Sequence, residues 1–254
     1  MTEELKRTLF SLAKKYETPS FLRGDPSCFL RQFKEKKDQE IVAFIASSLA
    51  FGKREQILSH VQTILENAAP SPTRWILEGN AEAFFPKNDR SFYRIFSNNS
   101  MRIFFSALKK ILLEEESLGE FFRKKRISDT KNEFLFQTIA DCFPLNCTLI
   151  PHGKNTAAKR LNLLLRWLVR KNSCVDLGLW TWASSKELLI PLDTHVQKQA
   201  TILGLLEANK NGKPKAASLK SAVELTKKLS EVFPDDPVRG DFALFGLGAN
   251  GSIL

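Results

Sequence analysis

Ile190-Pro191-Leu192-Asp193-Thr194-His195-Val196 has the residue pattern of an extended segment entering a helix. Pro191 biases Ile190 toward extended backbone, and Asp193 is a strong N-cap residue. Beyond it, Val196, Ala200 and Leu203 form one apolar stripe flanked by Ile202 and Leu206, as an amphipathic helix requires. One carboxylate is thereby fixed at a helix start in a strongly basic chain. Such a group can cap its own helix, and it can equally stabilise a positive charge developing on a substrate.

Helical spacing continues on both sides of this stretch. Residues 40–51 form a buried pattern stopped by Gly52, and residues 54–67 a second helix. Ser71-Pro72 sets an N-cap ahead of proline at the first helical position, opening a short helix through Trp75 and Leu77. Further helices are expected over 101–113, 131–143, 156–171, 194–206 and 215–232. Ser184-Ser185-Lys186-Glu187 reads as a capping box. Asp236-Pro237 repeats the cap-then-proline device before a final helix ending near Gly246-Leu247-Gly248. Residues 85–90, 97–100, 147–154 and 209–214 are the loops between these elements. Alternating β-branched runs are almost absent, so the fold is expected to be all-α.

With 254 residues, 43% of them apolar and twenty of them Phe, the chain can bury a sizeable core and is not a disordered protein. Lysine and arginine exceed the acids by ten. That surplus favours polyanionic partners, nucleic acid first and an anionic membrane surface second. No apolar run is long enough to span a bilayer, and the acidic start Thr2-Glu3-Glu4 is unlike a signal peptide. Cys28, Cys142, Cys147 and Cys174 are scattered, which fits a reduced, cytoplasmic protein. None of His60, His152 and His195 lies at metal-ligand spacing from a cysteine, so no protein-held zinc is expected.

Residues 151–171 carry the second group of candidate residues. On a helical wheel Leu161, Leu164, Leu165 and Leu168 point one way, while Lys159, Arg166 and Arg170 share the opposite face. The basic face could lay phosphates along its outer side, or be an ordinary solvated surface. Lys159 stands near the helix start beside Arg160. Both neighbours and helix dipole disfavour its protonated form, so it could be a nucleophile forming a Schiff base with a sugar carbon. Lys154, in the loop just ahead, is its rival. The basic run 123–126 after Phe121-Phe122 reads as a solvated helix end that could also touch phosphates. Trp75, Trp167, Trp180 and Trp182 could each stack on a base, with core packing the simpler role for Trp167.

These residues resemble a known superfamily. Residues 191–196, the helix after them, and Asp241-Phe242-Ala243-Leu244-Phe245-Gly246 are similar to the latter half of the helix-hairpin-helix DNA glycosylases, in particular the endonuclease III and archaeal oxoguanine glycosylase branches. Residues 40–49 resemble the helix that begins their helical barrel. KRLNLLLRWLVR, PLDTHV and DFALFGLG together resemble a bacterial branch of about this length, and the likeness covers most of the chain. The usual glycine-rich hairpin is replaced by Ile150-Pro151-His152-Gly153-Lys154-Asn155, which keeps one glycine. No cysteine follows Cys174, so no iron–sulfur cluster and no other cofactor is expected.

The resemblance implies a two-lobed helical array, with a barrel over 36–172 and a second lobe formed by 1–35 and 173–254. It implies a DNA repair glycosylase that flips a damaged base into the cleft between the lobes. Asp193 would be the catalytic acid and Lys159 the nucleophile of an abasic-site lyase. Lys53, Arg54, Lys154, Arg160, Arg166, Arg170 and His195 are the expected contacts to double-stranded DNA carrying a damaged base or abasic site. A monomer is expected. A binding protein of the same fold without catalysis, and a partner-binding helical domain, are the competing expectations.

Overall fold

A computed structural model of the chain describes residues 1–249. The fold is all-α, with one two-stranded hairpin among the described residues. Two compact units form: Leu22–His152, and Met1–Phe21 joined by the chain from Gly153 onward. The middle unit is contributed by one continuous stretch and the other unit by the two ends of the chain. The helix that begins at Lys159 belongs with Asp193, because its arginines pair with acids of the terminal segments. No helix among the described residues is long and apolar enough to cross a membrane.

The chain opens with α1 (Glu3–Tyr16), part of the terminal unit. The middle unit follows with α2 (Lys36–Ser48), α3 (Arg54–Ala68), α4 (Pro72–Leu77), α5 (Asn80–Phe84), β1 (Ser91–Tyr93), β2 (Phe96–Ser97), α6 (Asn98–Glu114), α7 (Leu118–Ser128) and α8 (Leu135–Asp141). α2 is buried on every side from Glu40 to Ser48. Its Phe44 lies 5.7, 6.2 and 5.5 Å from the rings of Phe104, Phe122 and Phe143. Two buried carboxylates of α2 tie other helix starts to it. Asp38 accepts from Ser71 Oγ at 3.0 Å and the Thr73 amide at 2.8 Å, and Glu40 from the Gly119 amide at 3.1 Å. These bonds meet the requirement that buried charge be paired or hydrogen-bonded.

Three expected boundaries move for local reasons. α8 begins four residues late because Asp129 accepts the amides of Lys131 and Asn132 at 3.0 and 3.1 Å, holding that segment as a turn. Residues 97–100 are not a loop: Ser97 caps α6 by accepting from the Ser100 amide. The 184–187 capping box yields only a short 3-10 turn, Ser185–Glu187. The hairpin β1–β2 is unforeseen, since three residues paired with two leave no alternation to read.

The terminal unit adds α9 (Lys159–Val169), α10 (Thr194–Ile202), α11 (Leu219–Leu229) and α12 (Gly240–Ala249). α12 packs on α1 and on α10. Glycine is required at the first crossing and closely packed at the second. A Cβ on Gly246 would run into the Tyr16 ring, and one on Gly248 would lie 3.3 Å from His195 Cβ. α12 follows the expected proline turn, Pro237–Arg239, and is described as far as Ala249, next to its expected end.

Candidate active site

Asp193 occupies the N-cap of α10 with extended backbone, φ −111° and ψ −177°. Its Oδ1 accepts from the His195 and Val196 amides, each at 2.9 Å. Two of the four amides that a helix start leaves unpaired are thus satisfied by one oxygen. The other oxygen, Oδ2, stands 4.0 Å from Lys159 Nζ. Buried Pro191 and Leu192 anchor the segment, so the carboxylate is fixed from behind and open in front. The side chains of Lys159 and Asp193 are 27% and 19% exposed, enough for a substrate to reach both.

Lys159 is the first residue of α9, and its entry is built by its neighbours. Ala158 sits in the left-handed region at φ 43°, a conformation costing a non-glycine residue about 1–2 kcal/mol. Thr156 Oγ1 accepts the Ala158 amide at 3.1 Å, and Asn162 Nδ2 donates to the Ala157 carbonyl at 2.9 Å. These two bonds turn the chain sharply into the helix and set the lysine at its first position.

Arg166 and Arg170 correct the expected phosphate-binding stripe. Both are 2% exposed and lie inside an ion cluster. Arg166 donates to Asp241 and, at 3.3 Å, to Asp176. Arg170 donates to Asp176, to Asp236 at 2.9 Å and to Glu17 at 2.8 Å. Arg239 closes the cluster on Glu17 at 2.8 Å. The Phe242 ring lies 4.5 Å from the Arg166 guanidinium and 5.2 Å from that of Arg170. The face opposite the leucines is therefore buried too. Fixed, planar guanidinium donors suit such desolvated pairing better than lysine would.

Burial dominates the titration of this cluster. It pushes the Asp241 carboxyl up to about 6, with Arg166 opposing and the charge of Asp193 adding to the rise. Burial likewise raises Asp176, against the pull of Arg166 and Arg170. Glu17 goes the other way: Arg170, with Ser173 and Arg239, overcomes its burial and holds it low. Asp241 is thus the link between the buried cluster and the Lys159–Asp193 pair. Sequence reading missed its role. The available signal was an acid directly before the apolar run Phe242–Leu244, where a buried carboxylate is rarely tolerated without a partner.

The remaining candidates divide between the units. Lys154 is exposed in the loop before α9, Arg160 is half-buried beside Lys159, and His195 is exposed in the first turn of α10. Lys53 and Arg54 are exposed at the start of α3, in the middle unit, after Gly52 at φ 102°. Trp167 and Trp75 are core residues. Trp182 is half-buried and stacked on Trp180 at 5.5 Å. Among the described residues no group of three or more His, Cys, Asp or Glu side chains could hold a metal ion.

Comparison with known proteins gives a family. The chain belongs to the DUF2400 family, described as a protein of unknown function, whose model matches residues 25–250. No curated protein and no solved structure matches the chain.

Proposed function

We propose that this protein is a DNA repair glycosylase with an abasic-site lyase step. The observation that carries the reading is the pairing of Lys159 Nζ with Asp193 Oδ2 at 4.0 Å, each at the start of its own helix and each partly open to solvent. An amine beside a fixed carboxylate suits attack on a sugar carbon that develops positive charge. The net charge of +10 supports a polyanionic substrate. The target nucleotide would be extruded from the stack to reach the pair.

In the proposed reaction Lys159 gives a proton to Asp193 and attacks C1′ with its free electron pair. The glycosidic bond breaks, and the base leaves with that bond's electron pair and takes the proton from Asp193, which returns to a carboxylate. Nζ then gives one proton through Asp193 to the ring oxygen as the C1′–O electrons move onto that oxygen, which opens the sugar ring and leaves a protonated Schiff base between C1′ and Nζ. Loss of a C2′ proton then expels the 3′ phosphate. Whenever it is ionised, Asp193 opposes the positive charge at C1′.

The test is a set of duplexes, each carrying one damaged base or an abasic site, assayed for base release and nicking. Wild-type protein should release at least one base. Asp193→Asn should lose that release by several orders of magnitude while melting within about 1 kcal/mol of wild type, since asparagine also caps helices. Full activity in the Asn variant would reduce Asp193 to a cap. No release from any duplex would leave a nucleic-acid-binding protein.

A further inference from the structure

With Arg166 and Arg170 buried, the terminal unit must meet a polyanion elsewhere, and one exposed segment has the composition for it. Between Glu207 and Lys220 the chain carries Lys210, Lys213, Lys215 and Lys220 against the single acid Glu207. All four lysines are exposed. The segment is a built hairpin. Ala208 and Pro214 bridge antiparallel, and the Asn209 amide donates to the Lys213 carbonyl at 2.8 Å. Asn209 Oδ1 accepts the amides of Asn211 and Lys213 at 2.9 and 3.0 Å, and Gly212 supplies the left-handed residue at φ 70°. Lys210 and Lys213 therefore project from a fixed tip.

The base of this hairpin adjoins the candidate active site. The Leu219 amide donates to the Asn155 carbonyl at 2.9 Å, joining the start of α11 to the Lys154–Asn155 loop. Asn155 is four residues ahead of Lys159, a chain reach of roughly 14 Å at most. Glu207 pairs with Lys215 at 3.0 Å and is held below the ordinary carboxylate range by Lys215, with Lys228 and Lys220 contributing. The acid therefore stays ionised and offsets the charge of Lys215, while Lys210, Lys213 and Lys220 keep the segment positive.

We infer that the 208–214 hairpin, together with Lys154, is a contact surface for the phosphate backbone of nucleic acid. The alternative polyanion, an anionic membrane, fits less well. From Ala208 to Ala217 no side chain is more apolar than alanine or proline, so nothing could insert among acyl chains. The inference rests on the nucleic-acid part of the function proposed above and deepens it by placing the backbone contact.

The test measures binding of lesion-free duplex DNA to the full chain across a salt series. Lys210→Gln/Lys213→Gln should reduce the log–log slope by roughly 1.8, about 0.9 for each lost phosphate contact. Lys210→Arg/Lys213→Arg should keep the wild-type slope. Lys14→Gln/Lys15→Gln, which removes the same charge from exposed positions on α1, should leave it unchanged. An unaltered slope in the 210/213 variant overturns the inference, as does an equal drop in the 14/15 variant. So does hairpin-dependent binding to phosphatidylserine vesicles without any binding to DNA. Base release by wild-type protein is scored separately. A slope that falls as expected with no base release removes the glycosylase and keeps the surface; base release with an unaltered slope does the reverse.

Discussion

Replacing Asp241 by Asn tests the buried cluster at the residue that joins it to the candidate active site. Folding raises this carboxyl to about 6, so between its unfolded value and 6 the folded state holds a proton that the unfolded state has lost. Its contribution is fully present below the unfolded value, near 3.9 for aspartate, and is lost as pH rises through 6. The stability difference between wild type and Asp241→Asn should therefore fall by roughly 1.4 kcal/mol per pH unit across that window and level off above it. Urea unfolding at a series of pH values measures this, and a constant difference would contradict the buried titration. The contrast between Asp193 and Arg166 explains what sequence reading could reach at this scale. An N-cap is decided by residues two and three positions on, so Asp193 was readable. The partners of Arg166 and Arg170 are Glu17, Asp176, Asp236 and Asp241, and no local pattern links them to α9. A basic stripe with distant acids reads like a solvated one.

At the scale of elements, the helices with an apolar stripe and a cap were readable, and their ends were set by single side chains. Asp129 illustrates this best. Besides two amides it accepts Thr138 Oγ1 at 2.6 Å and Asn132 Nδ2 at 2.9 Å. Burial opposes its charge, but these donors outweigh burial and hold the carboxyl well below the usual range. Asp129→Ala should destabilise the protein by about 1–2 kcal/mol in urea unfolding at neutral pH. A depressed carboxyl stabilises above its ordinary value and loses that effect as pH falls, so the gap between the two proteins should narrow in acid. A gap that stays constant or widens would remove Asp129 as the determinant of where α8 starts. α5 escaped reading for another reason, since it is only five residues long.

At the scale of the whole molecule, the middle of the chain folds into one unit and the two ends meet in the other. This nesting brings α1 and α12 together, and it delivers Glu17 from one end of the sequence and Asp241 from the other to the arginines of α9. Lys159 and Asp193 are thereby held in one unit on a rigid base. The central claim is that Lys159 is the nucleophile. Borohydride trapping on a duplex with one abasic site tests it most directly, compared by rate among wild type, Lys159→Gln and Lys154→Gln. With the duplex saturated by protein, so that weaker backbone binding does not limit the rate, wild type and Lys154→Gln should trap at similar rates, and Lys159→Gln should lose the cross-link by at least a hundredfold, roughly 2.7 kcal/mol in barrier, while still binding DNA. Trapping that survives in Lys159→Gln and disappears in Lys154→Gln would contradict the account.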